Sequence, residues 1–174
     1  QPPAYREKVF VMDLTQHIQA VQEKIAQAAR QAGRDPASIT LCAATKVQTD
    51  ETIRAAIAAG IQVCGENRVQ ELTAHLAADA YAGARAVHFI GHLQTNKVKQ
   101  VVGKVDLIQS VDSPHLLQAI VKQADKLGIR QDILLEVNIG GEASKGGCPV
   151  DELPALVRLA RSLPQVRLRG LMAI

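Results

Sequence analysis

The feature that most constrains this chain is a strict alternation. A short run rich in Val, Ile and Leu is followed by a polar turn and then an alanine-rich helical stretch, again and again without sequence identity. The spacing predicts strands at Ile39–Lys46, Ile61–Glu66, Ala86–Gly91, Leu107–Val111, Ile133–Asn138 and Val166–Ile174. Between them lie helical segments near Asp50–Ala59, Arg68–Ala78, Thr95–Val102, Ser113–Leu127 and Val150–Ser162. The runs are apolar on both faces in places, as strands of a parallel sheet covered by helices should be. Punctuation agrees: Gly60 and Gly128 follow helices, and Ser113 reads as an N-cap with Pro114 at the first helical position. A further helix precedes the first strand, where Leu14, Ile18, Val21 and Ile25 form an apolar stripe. Gly33, Asp35 and Pro36 then break it.

Alternation of this kind makes an all-parallel sheet with right-handed crossovers. An open dinucleotide-binding sheet needs Gly-x-Gly-x-x-Gly after its first strand, and Lys46-Val47-Gln48-Thr49-Asp50 contains no glycine. The expected fold is therefore an α/β TIM-type (βα)8 barrel with an extra N-terminal helix, one domain over residues 1–174. A barrel of eight strands runs to about 250 residues, so this one is expected to be truncated after about six strands, its C-terminal strands absent. Val166–Ile174 would otherwise be an apolar sheet edge without a partner.

Composition narrows the function. At 47% hydrophobic and 21% charged residues, the chain can bury a core and is not disordered. No apolar stretch approaches the roughly 20 residues of a membrane span, and no signal peptide is visible. A net charge of +3, with only Tyr5, Phe10, Tyr81 and Phe89 as aromatics, speaks against nucleic acid. Cys42, Cys64 and Cys148 are widely spaced with no Cys-x-x-Cys pair, which argues against a disulfide framework or a zinc site. Cys42 and Cys64 read as small buried hydrophobes, and a reducing cytoplasm is the expected compartment.

In a βα barrel the working residues project from the C-terminal ends of the strands. Lys46 is the sharpest of these. It ends the apolar run that begins at Ile39, so its stem is expected inside the barrel, where partial desolvation favours a neutral amine able to condense with an aldehyde; the competing reading is a lysine that snorkels out of the mouth. Asn67 can hydrogen-bond a cofactor ring or cap the helix expected from Arg68, with Glu66 and Glu71 as ordinary first-turn acids. His88 and His92 straddle a strand and a turn rather than one helix face, which disfavours a metal pair and makes His88 a core histidine. Gly140–Gly147, carrying Lys145, is expected as a mobile loop that either cradles a phosphate or is merely solvated.

Read together, Ala43-Ala-Thr-Lys46, Gly65-Glu-Asn-Arg-Val-Gln-Glu71, His88-Phe-Ile-Gly-His-Leu-Gln-Thr-Asn-Lys97, Val137-Asn-Ile-Gly-Gly-Glu-Ala-Ser-Lys-Gly146 and Arg169-Gly-Leu-Met-Ala-Ile174 occur in one order. That series resembles the YggS/PROSC family of pyridoxal phosphate homeostasis proteins, from about Asp13 to Ile174. The resemblance implies a barrel like the alanine racemase N-terminal domain, with pyridoxal 5′-phosphate on Lys46 as a reversible Schiff base. It also implies Asn67 beside the cofactor, Met172 lining its pocket and Lys145 as a secondary amine. The family's phosphate-gripping segments would lie beyond residue 174. The implied role is to buffer the cofactor and deliver it to pyridoxal phosphate-dependent apoenzymes, without turnover, as a monomer that touches neither nucleic acid nor membrane. Two alternatives stand beside it: a racemase-like enzyme on amino acids, which needs a second acid or base, and a cofactor-sensing regulatory module.

Overall fold

The computed structural model describes residues 2–174. Helix α1, Pro3–Gln31, leads into strand β1, Cys42–Ala44. Four further units follow in chain order: α2 (Asp50–Ala58), β2 (Val63–Glu66), α3 (Val69–Ala77), β3 (Ala86–Phe89), β4 (Leu107–Val111), α4 (Pro114–Leu127) and β5 (Gln131–Asn138). Strand β6 (Cys148–Pro149), helix α5 (Leu153–Ser162) and strand β7 (Val166–Met172) complete the order. All the pairings are parallel. The ladder runs β1-β2-β3-β4-β5, and β5 then pairs with β6 near its end and with β7 along most of its length. Among the described residues β1 and β7 do not pair, so the sheet is an open arc of the barrel type.

The helix starts follow their local chemistry. Ser113 accepts the Leu116 N–H at 3.1 Å with Pro114 at the first position, and Gly128 ends the same helix at φ +66°. Thr49 caps α2 in the same manner, with Asp50 and Glu51 in its first turn. In α1 the buried stripe is Ile18 and Ala29, flanked by Leu14, Gln22 and Ile25; Val21 faces solvent, a correction to the expected stripe. Gln22 takes its place because its amide reaches Gly60 O at 3.3 Å.

Other boundaries differ as well. Thr95–Gln100 is a 3-10 helix rather than an α-helix, closed by Val101 N–H to Val98 O at 3.1 Å. Val150–Glu152 is likewise 3-10, and α5 begins only at Leu153, whose successor Pro154 suits a first turn. Strand β6 was not expected; it is two residues long and contains a proline. The Val166–Ile174 segment does have a partner, β5, on one side. Arg167 and Arg169 both reach Asp132 on that partner, at 2.8 and 3.1 Å, and the Arg167 guanidinium holds the Asp132 carboxyl below its usual range. Between Ile133 and Leu134 the register slips by one residue, and Gly170 there takes φ +153°.

Burial alternates along β3, β4 and β5 with a period of two. Phe89, Ile108, Ile133 and Leu135 point to the helices and are fully buried, beside Ile53, Leu72 and Leu117. His88, Gln109, Asp132 and Leu134 lie on the other face, which no helix covers, and are half-buried. Strands apolar on both faces occur in places, as expected: Val63 and Cys64 on opposite faces of β2 are both buried, and Leu134 lies on the face opposite Ile133 and Leu135 in β5. Among the described residues no helix is long and apolar enough to cross a membrane.

Candidate functional site

Because every strand runs the same way, the C-terminal ends of β1, β2, β3 and β5 share one rim. Strand β1 stops at Ala44, and Thr45 extends the ladder by donating its N–H to Gly65 O at 2.9 Å. Lys46 and Val47 then turn, closed by Gln48 N–H to Thr45 O at 3.3 Å. Val47 sits at φ +60°, a conformation costly for a β-branched residue. Its N–H is donated to Glu71 Oε2 at 2.8 Å.

Lys46 is exposed, not sheltered inside a barrel. Strand β1 is the end strand, three residues long and paired only with β2, so nothing beyond it covers the last side chain. The register of β1 on β2 sets Ala44 opposite Gly65, and Lys46 and Asn67 both lie just past the C-terminal ends of these paired strands, on one rim.

Asn67 does not cap the following helix. The helix starts at Val69 behind an extended Arg68, and no side chain caps it. The Asn67 Oδ1 is instead buried without a hydrogen-bond partner, an unsatisfied acceptor of the kind that calls for an explanation. Gly91 presses on the same residue from β3: a Cβ there would fall on the Asn67 carbonyl and lie 2.7 Å from its Cα.

The other expected site residues belong to later elements of the chain. Met172 is half-buried on β7, opposite Glu136, with β2 to β5 between it and Lys46. Lys145 is exposed in the loop after β5. That loop is tied down rather than loose: the Asn138 amide donates to Glu142 O at 2.7 Å and to Lys145 O at 3.4 Å, and Lys145 N–H to Glu142 O at 3.1 Å. Gly147 N–H is given to Asp112 Oδ2 at 3.3 Å. These amides are engaged inside the protein, which weakens the phosphate-cradle reading of Gly140–Gly147.

Two acidic residues were misjudged or missed. Glu66 is not a first-turn acid but a fully buried member of β2 on the helix side. Its Oε1 accepts from the Thr45 hydroxyl at 2.5 Å and from the Tyr81 hydroxyl at 2.8 Å, while Oε2 has no partner. Burial, then the hydrogen bond to Glu66, pushes the Tyr81 phenol well above its ordinary range. His75 stands beside them, its Nδ1 2.7 Å from Asp50. Ligand atoms of Glu66, Glu71 and His75 lie within 4.8 Å of one another. One oxygen of each carboxylate already accepts from the protein, so the trio reads as a hydrogen-bonded brace. A carboxylate ending a fully apolar strand was the available signal.

Glu136 is the residue the sequence reading missed outright. It is 7% exposed, on the same face as Asp132 and Leu134, and a Cβ on Gly146 would lie 2.9 Å from its carboxylate. Burial raises its pKa, Asp112 adds to this, and His92 opposes it. A raised folded-state value means the native protein holds a proton that the unfolded chain has released. Stability from this group is complete below the unfolded carboxyl pKa and is lost as pH rises through the folded value. Glu136→Gln is therefore expected to raise the melting temperature at pH 8 and to leave it nearly unchanged at pH 4, read by thermal unfolding at both.

The neighbouring groups are quieter. His88 is half-buried, its Nδ1 2.9 Å from the Gln109 amide, and burial lowers its pKa, consistent with a neutral ring. Cys64 is buried with its thiol pushed up to about 11, chiefly by burial, whereas Cys42 is only half-buried, short of the expected burial. Raised thiols carry little nucleophilic thiolate.

The profile of the alanine racemase N-terminal domain family matches residues 16–174. The chain is similar to the pyridoxal phosphate homeostasis protein of Aquifex aeolicus, 42% identical, over 94% of this chain and 71% of that protein. A crystal structure of an unknown protein from Bifidobacterium adolescentis superposes with a TM-score of 0.86 at 39% identity, covering 94% of this chain and 70% of that one. PipY of Synechococcus elongatus with PLP bound superposes with a TM-score of 0.70 at 36% identity, covering 86% of this chain and 70% of that one.

Proposed function

Since the chain belongs to the alanine racemase N-terminal domain family, among relatives named pyridoxal phosphate homeostasis proteins, we propose that it binds pyridoxal 5′-phosphate and passes it on to enzymes that require it. The observation that supports this reading is that Lys46, exposed on its turn, and Asn67, whose buried Oδ1 has no partner, follow the ends of two neighbouring strands on one rim. These residues fit the group: an accessible primary amine next to an acceptor with no partner inside the protein. When bound, the cofactor supplies an aldehyde that condenses reversibly with a neutral amine and releases water.

Lys46 would supply that amine, and Asn67 would help hold the cofactor as a hydrogen-bond acceptor. Met172 and Lys145 serve as secondary contacts, on the pocket wall and at its entrance. Turnover of amino acids is not favoured. Tyr81, the one aromatic hydroxyl near the brace, spends its proton on Glu66 on the helix side of the sheet.

The test is transfer. The chain is saturated with pyridoxal 5′-phosphate, desalted, and mixed with an apoenzyme that requires it. Enzyme activity should return as the yellow colour leaves the chain. No recovery above that from an equal amount of free cofactor would contradict delivery.

A further inference from the structure

The turn that carries Lys46 is held from both sides by carboxylates of the β2–α3 segment, and nothing in the proposed cofactor contacts uses them. On one side, Thr45 is buried and its hydroxyl is fixed to Glu66 Oε1 at 2.5 Å, a carboxylate anchored in turn by Tyr81. On the other, Val47 N–H is donated to Glu71 Oε2 at 2.8 Å. Between the two anchors the backbone makes a left-handed turn at Val47, φ +60°. A β-branched residue adopts that conformation only where its surroundings hold it there. An N–H donated to a carboxylate is the strong class of hydrogen bond and can supply the hold.

We infer that Glu71, backed by buried Glu66, is a positioning residue for Lys46: by holding the Thr45 hydroxyl on one side of it and the Val47 peptide on the other, the two carboxylates keep the strained turn that presents the lysine amine on the rim it shares with Asn67. The inference rests on the proposed role of Lys46 for its consequence in cofactor binding, but the clamp itself is a property of the chain alone. Glu71 touches no reacting atom. It acts through the Val47 peptide, and its loss lets the turn relax and the amine wander from the Asn67 acceptor.

The experiment compares Glu71→Ala, Glu71→Gln and the double variant Val47→Gly/Glu71→Ala. Three readings are taken: hydrogen exchange at the Val47 amide, trace acetylation of Lys46 relative to the other lysines by acetic anhydride, and affinity for pyridoxal 5′-phosphate by absorbance titration. Glu71→Ala is expected to speed Val47 amide exchange and to weaken cofactor affinity, each by about tenfold, the scale of one lost charged hydrogen bond. It should also change the relative acetylation of Lys46 by about threefold or more. Glu71→Gln keeps an acceptor oxygen and should stay within about threefold of the parent in affinity. Glycine takes the left-handed conformation without strain, so the double variant should recover most of the lost affinity.

A Glu71→Ala chain whose Val47 amide exchanges faster, yet whose cofactor affinity stays within about twofold of the parent, overturns the inference. Should Glu71→Ala not fold, Glu71→Asp keeps the charge, shortens the reach by one methylene and faces the same expectations. If the parent chain forms no borohydride-stable adduct at Lys46, the proposed function fails. The clamp is then judged by acetylation of Lys46, and unchanged labelling in Glu71→Ala overturns it.

Discussion

Lys46→Ala should abolish the borohydride-stable pyridoxyl adduct and weaken pyridoxal 5′-phosphate binding by roughly a hundredfold or more, about 3 kcal/mol. The size follows from what is removed. The covalent bond to the ε-nitrogen is lost altogether, leaving only the hydrogen bond to Asn67 and weak contacts along the rim. Lys46→Arg should fail equally, because a guanidinium keeps the charge but stays protonated and cannot condense with an aldehyde. Neither change should unfold the protein: Lys46 is exposed, and replacing an exposed side chain usually shifts stability by less than about 0.5 kcal/mol. Absorbance titration paired with thermal unfolding separates these effects. Lys145→Ala should retain the yellow band, since the adduct is expected on Lys46 and Lys145 sits on a separate loop anchored at Asn138.

Gly91→Ala should be among the most damaging single methyls in the rim. At Gly91, two residues past the end of β3, the backbone lies directly against that of Asn67, and the new Cβ would meet the Asn67 carbonyl carbon and Cα, both 2.7 Å away. Those are main-chain atoms and cannot rotate aside as a side-chain tip would. The β2–α3 connection must move, at a cost of about 1–3 kcal/mol or more. Asn67 moves with it, so affinity for the cofactor should fall at the same time as stability. Gly128→Ala offers the contrast: its Cβ would meet nothing, and only the strain of φ +66° is paid. The pair is read by chemical denaturation and by cofactor titration, and Gly91→Ala should lose in both.

Much of the arc was legible because each strand carries its own period and its own punctuation. Strand β4 matches its expected range of Leu107–Val111, since it lies inside the sheet and ends where the Ser113 cap begins. Strand β1 is shorter than its apolar run because an end strand with one neighbour is paired only where that neighbour reaches. The two-residue β6, with Pro149 in it, has no periodicity to detect. The same limit governs the site. That Lys46 lies at the C-terminal end of strand one, in the turn that follows it, was readable from an apolar run ending in a charge. Its exposure was not, because cover at a strand end comes from other strands rather than from the residue's own sequence. Glu66 and Glu136 were hidden for the converse reason: a carboxylate between apolar residues looks outward-facing until the register shows which face it takes. Asn67 had two local readings, and only the start of α3 at Val69 removed the capping one.

Peptide mapping of the borohydride-reduced protein, by mass spectrometry after incubation with pyridoxal 5′-phosphate, tests the central claim most directly. The account predicts a single dominant pyridoxyl mass on the peptide containing Lys46, absent when Asn67 and Lys46 are both replaced by alanine. A dominant adduct on Lys145, Lys97 or another lysine, with Lys46 unmodified, would contradict it.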